Sequence, residues 1–108
     1  MLSDRIMIHR VLRLVQPKLT VEAVTALAEG PQRYTDLVRI ITVATGETVH
    51  PRTLIETLRK LQDQAIIEHA TADDDGAVYR LTLKGHQLVE LLNKIERWGQ
   101  DHSDSFEN

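Results

Sequence analysis

Arg52, Thr53, Thr57 and Lys60 stand within one short segment, Val49 to Leu61, and are the side chains best suited to recognition chemistry. Arginine and lysine donate to phosphate oxygens or to the acceptor edge of guanine, and threonine can contact a base or the thymine methyl group. A solvated helix face would carry the same residue types, so the surrounding elements decide between the two readings. Glu56 interrupts the set, because a carboxylate repels phosphate. It either pairs with Arg52 or Lys60 at i±4 spacing, the first choice, or accepts from a cytosine amino group. His50, just before Pro51, can touch a phosphate or serve only as a loop residue. Arg80 alternates with Tyr79, so if Tyr79 and Leu81 face inward, Arg80 faces out towards a phosphate.

Other chemistries are poorly supported. The chain has no cysteine, which removes disulfides, thiolate ligands and thiol redox sensing. Its five histidines (His9, His50, His69, His86 and His102) show no i, i+4 ligand pair, so no metal is expected. Asp73, Asp74 and Asp75 are consecutive, whereas a calcium loop alternates its ligands; a solvated turn is the better reading. There is no glycine-rich phosphate loop, nucleophile elbow or convergent acid–base set, so neither an enzyme nor a cofactor is expected.

The 108 residues are 42% hydrophobic and 27% charged, the composition of one soluble domain. No apolar run approaches a membrane span and no signal-type segment opens the chain, so a cytoplasmic address is expected. The net charge is −3, but residues 1–60 carry nine bases against six acids, and residues 61–108 four against ten. A polyanion would meet the first half more readily.

The elements that must position the candidate residues follow from periodicity and stop signals. A helix is expected over residues 4–15, with Ser3 as cap and Asp4 in its first turn, ended by Gln16-Pro17. A second runs from about Lys18 to Glu29, with Val21, Val24, Leu27 and Ala28 as its apolar stripe, stopped by Gly30-Pro31. After a short extended Gln32-Arg33-Tyr34, Thr35 caps a third helix to about Thr42. Pro51 suits the first turn of a fourth, with Leu54, Ile55, Leu58 and Leu61 inward and Arg52, Thr53, Glu56 and Lys60 opposite. Strands at Ile66–Ala70 and Val78–Leu81 flank the turn signal Asp75-Gly76. Thr82 caps a last helix to about Gln100. This order, three helices and a hairpin from Thr20 to Leu81, is that of a winged helix-turn-helix. The expected fold is α+β, mostly helical, with an added N-terminal helix and a long C-terminal one.

The sequence resembles the HxlR-type winged-helix regulators of the MarR-like group, with PadR-type regulators as nearest competitor. The resemblance rests on Lys18-Leu19-Thr20, on Glu29 to Leu37, on Pro51 to Leu61 and on Tyr79-Arg80-Leu81-Thr82-Leu83-Lys84-Gly85, with Leu88, Leu92 and Trp98 in the closing helix. It spans about residues 17–99. It implies a transcriptional regulator, expected to be a repressor, that binds duplex DNA at an inverted repeat, and it places a basic residue at Arg33 near the DNA backbone. The candidate DNA-contacting set is then Arg33, His50, Arg52, Thr53, Thr57, Lys60 and Arg80. Leu19 stands where the family usually has Trp, the redox cysteine of some members is missing, and the wing tip Asp73-Asp74-Asp75-Gly76 is acidic.

Residues 1–16 and 83–102 are expected to be dimerisation helices flanking a DNA-binding domain at 17–82, with 103–108 a frayed tail. Their apolar stripes, with Ile6, Val11, Leu14, Leu88, Leu92, Ile95 and Trp98 as interface residues, exceed what one small core can cover. A homodimer is therefore expected, with room for a small-molecule effector of unspecified identity. The alternative is a winged-helix protein-interaction module with little DNA binding, favoured by the net charge, the acidic wing and Glu56.

Overall fold

The computed structural model describes residues 5–72 and 76–106. The elements are α1 (Ile6–Val15), α2 (Thr20–Ala28), α3 (Tyr34–Thr45), α4 (Pro51–Asp63), β1 (Ile67–Ala72), β2 (Gly76–Leu81), α5 (Leu83–Asp101) and α6 (Ser103–Phe106). Ser3, Asp4 and the wing tip Asp73–Asp75, each given a part above, lie outside the described residues. The fold is a mostly helical winged helix-turn-helix.

The core gathers one face from each of α2, α3 and α4. Ala23, Val24 and Leu27 meet Leu37, Ile41, Leu54, Leu58 and Leu61, and Ile66, Ile67 and Leu81 close it from the hairpin. β1 and β2 pair antiparallel with Ile67 opposite Leu81 and His69 opposite Tyr79. The short extended segment before α3 joins them: Gln32 and Tyr79 exchange backbone hydrogen bonds of 2.9 and 2.8 Å.

Several expectations shift. α2 starts at Thr20 because buried Leu19 takes a left-handed conformation, φ 78°. In α2, Val21 and Ala28 lie at the surface, and Ala23 and Ala26 take the inward positions. α3 begins at Tyr34 with Arg33, not Thr35, at the N-cap, and it runs on to Gly46, whose φ of 70° ends it. Its late threonines fit the helix by donating back to carbonyls: Thr42 to Val38 at 2.7 Å and Thr45 to Ile41 at 2.9 Å.

The closing helix is not simply an appendage. Its first half completes the core through Gly85, Leu88 and Val89. Leu88, expected at a dimer interface, is buried within the chain, and Leu14 and Leu92 are partly buried against the same core. The described part of the tail, expected to fray, forms the one-turn helix α6, with Phe106 edge-on to Trp98 at 5.6 Å.

Candidate nucleic-acid interface

Helix α4 owes its start to Pro51, whose missing N–H costs nothing at the first helical position. His50 is extended before it, and its carbonyl accepts from the Leu54 amide at 3.1 Å. At the other end Ala65 turns left-handed, φ 59°. Its amide donates to the Gln62 carbonyl at 2.9 Å, and the Ile66 amide to that of Leu61 at 2.9 Å, the double closure that satisfies last-turn carbonyls.

The motif at the start of α5 locks this end in place. The Thr82 hydroxyl donates to the Ala65 carbonyl at 2.6 Å and accepts from the Gly85 amide at 3.1 Å. Lys84 Nζ donates to the Gln64 carbonyl at 2.7 Å. The run Thr82-Leu83-Lys84-Gly85 therefore ties the C-terminal end of α4 to the start of α5.

Within α4 the buried side is Leu54, Thr57, Leu58 and Leu61. Thr57, expected on the recognition face, is 6% exposed: its hydroxyl donates to the Thr53 carbonyl at 2.8 Å, and what remains accessible of it lines the cleft beside α1. Ile55, expected inward, is 45% exposed. The helical period explains the exchange, because Thr57 lies between Leu54 and Leu61 at i+3 and i−4, while Ile55 falls off that stripe.

Arg52, Glu56 and Arg59 are exposed at i, i+4 and i+7, along the side opposite the core. Arg59 was absent from the candidate set; its spacing from Arg52, two turns on, is the signal that would have found it. Thr53, half-buried, and exposed Lys60 lie on the flank facing α1. Among the described residues, Glu56 forms no ion pair with Arg52 or Lys60, so the pairing put first above does not form.

The hairpin lies against α4 through β1. Tyr79 and Leu81 face the core and Arg80 faces out, as expected, but Arg80 Nε meets Glu68 Oε1 across the strands at 2.6 Å. On the inner face His69 stacks on Tyr79, ring centroids 4.0 Å apart. Burial, and then the neighbouring Tyr34, push the Tyr79 hydroxyl above its ordinary pKa of 10.0. The Tyr34 hydroxyl is itself buried, with no hydrogen-bond partner among the described residues. Arg33 is exposed at the start of α3, beside the bridge of Gln32 to the wing.

Between α1 and α4 opens a cleft of about 900 Å³. Met7, Val11, Leu14 and Leu61 supply apolar lining, and Arg10, Arg13, Lys18, Lys60 and Lys84 outnumber Glu56 and Asp63 around it. No group of three or more His, Asp or Glu among the described residues could hold a metal ion.

Residues 14–107 match the family described as HxlR-like helix-turn-helix. An uncharacterized HTH-type transcriptional regulator of Methanocaldococcus jannaschii is 31% identical over 81 residues, 75% of this chain and 71% of the relative. A MarR-family transcriptional regulator from Enterococcus faecalis superposes with a TM-score of 0.79 at 20% identity, covering 92% of this chain and 87% of that one. The reduced form of the transcriptional regulator YodB from B. subtilis gives 0.73 at 21% identity, covering 87% and 89%. At these identities the solved structures share the fold.

Proposed function

The chain belongs to the HxlR-like helix-turn-helix family of transcriptional regulators, and we propose that it binds duplex DNA sequence-specifically as a homodimer, with α4 in the major groove. The observation that carries this reading is the outer side of α4. Arg52 and Arg59 project from a helix whose other side is locked into the core, the arrangement by which a recognition helix presents donors to base edges. His50, Arg33 and Lys60 flank it as phosphate contacts. Arg80 contributes less than its exposure suggests, because Glu68 already engages it.

The dimer reading is supported by what the single chain leaves uncovered. Ile6, Leu12, Ile95 and Trp98 are each at least half exposed. The radius of gyration is 15.1 Å, above the roughly 13 Å of a compact chain of this length. Two-fold pairing is the commonest arrangement and matches an inverted-repeat operator, where occupancy alone would repress.

The absence of cysteine leaves no thiol to oxidise, so a signal would come from an effector, a partner or protein level. The cleft between α1 and α4 is the place for a small-molecule effector, since it joins the terminal helix to the recognition helix. No helix among the described residues is long and apolar enough to cross a membrane, and a cytoplasmic location agrees with that.

Selection of binding sites from a random duplex library, with affinity followed against salt, tests the proposal. The expected outcome is an enriched inverted repeat with half-sites about one helical turn apart. Failure to enrich any site, with no salt-dependent retention, would favour the interaction-module reading instead.

A further inference from the structure

Glu56 is the anomaly of the proposed interface. It stands exposed between Arg52 and Arg59 on the outer side of α4, where the α1–α4 cleft opens beside it and where a carboxylate would oppose a polyanion. It does not serve the fold: the core-facing side of α4 is Leu54, Thr57, Leu58 and Leu61. Nor is it neutralised by its own helix, since among the described residues it forms no ion pair with Arg52, Arg59 or Lys60.

We infer that Glu56 is a base-reading residue that selects cytosine at one position of each half-site. This deepens the DNA-binding reading and rests on it. An ionised carboxylate only accepts hydrogen bonds. In the major groove the donors are the amino groups of cytosine N4 and adenine N6. Adenine sets the N7 acceptor beside its amino group, which repels the second carboxylate oxygen, whereas cytosine offers its donor without a neighbouring acceptor on the same base. Guanine and thymine present acceptors and are rejected. Arg52 at i−4 and Arg59 at i+3 supply the attraction that brings the carboxylate into the groove. The same carboxylate weakens contact with any sequence lacking a donor at that place, so Glu56 sharpens discrimination at the expense of general affinity.

The test repeats the site selection with the full chain and with Glu56→Ala and Glu56→Gln. Glu56 is exposed, so both variants should keep the parental fold, checked by circular dichroism and thermal midpoint. The parent should show one C·G pair per half-site preferred by roughly tenfold, the scale of a base-edge contact. In Glu56→Ala that preference should collapse to about twofold or less while binding to random duplex strengthens, the other positions staying unchanged. In Glu56→Gln adenine should become accepted there, because an amide both donates and accepts and matches adenine N6 and N7. Identical base preferences in parent and both folded variants would overturn the inference while leaving the DNA-binding reading intact. A parent that enriches no site would overturn both.

Discussion

Gly85 lies directly against the carbonyl of Ile66: a Cβ built on Gly85 would overlap that oxygen. The contact joins the first turn of α5 to the segment where α4 ends and β1 begins. The same carbonyl accepts from the Thr82 amide at 3.0 Å. The segment that follows the proposed reading helix is therefore held to α5 by a backbone contact that only glycine allows.

Gly85→Ala should destabilise the protein by about 1–3 kcal/mol, the range for overpacking a closed site. The obstructing atom belongs to the backbone, so rotamer change cannot relieve it. Urea unfolding followed by circular dichroism measures the loss, and an unchanged midpoint would mean that α5 pivots freely on α4.

Thr57→Ala and Arg52→Ala should separate stability from recognition. The first removes a buried hydroxyl and its bond to Thr53, lowering stability by about 1 kcal/mol without altering base preference. The second should leave the unfolding curve in place and weaken binding to the selected site by about 1–3 kcal/mol. Lys60→Ala should weaken binding across sequences and flatten the salt dependence by about one counterion. Urea unfolding checks the two stability outcomes, and competition binding at two salt concentrations checks the binding outcomes of all three.

Ile95→Glu and Ile6→Glu should give a folded monomer in sedimentation velocity at micromolar concentration, because both residues are more than half exposed in the single chain. Leu88→Glu should instead unfold the domain, since Leu88 belongs to the core and an unpaired charge there has no partner. Dimers persisting in both isoleucine variants would place the interface elsewhere.

Tyr79 should make the fold sensitive to alkali. Its pKa in the folded chain is raised above the ordinary 10.0 by burial and by Tyr34. The unfolded chain therefore loses its proton first as pH rises. Stability from this group is whole below pH 10.0 and falls above it, through the raised folded value. Tyr79→Phe should flatten that alkaline decline in thermal midpoints taken from pH 8 to 11; an equally steep decline would assign it to another group.

Much of this molecule is written in local pattern. Pro51 before a leucine stripe, Gly30-Pro31 after another, and Thr82 three residues before Gly85 each act on the nearest backbone hydrogen bonds, so element order is legible without tertiary information. The antiparallel hairpin follows the same way, as does the outward direction of Arg80, because strand side chains alternate; the sequence shows Gln32 only as extended, and its bridge to Tyr79 is a long-range pairing that the tertiary structure decides.

What the chain could not announce was which of several equivalent positions would be covered. Thr57 and Ile55 are two residues apart on one helix, and hydropathy alone sends isoleucine inward. The core lies along Leu54, Leu58 and Leu61, and Thr57 falls on that line, its hydroxyl satisfied by a carbonyl one turn back. Leu88 and Ile95 share a stripe a full heptad long, yet α5 outruns the core it packs on, so the first is buried and the second exposed. Glu56 has three cations at pairing spacing along the helix, Arg52, Arg59 and Lys60, and only the placed side chains show that among the described residues none takes it. Periodicity defines a face. Which part of that face meets solvent depends on where neighbouring elements stop, and that is decided by packing across the whole domain.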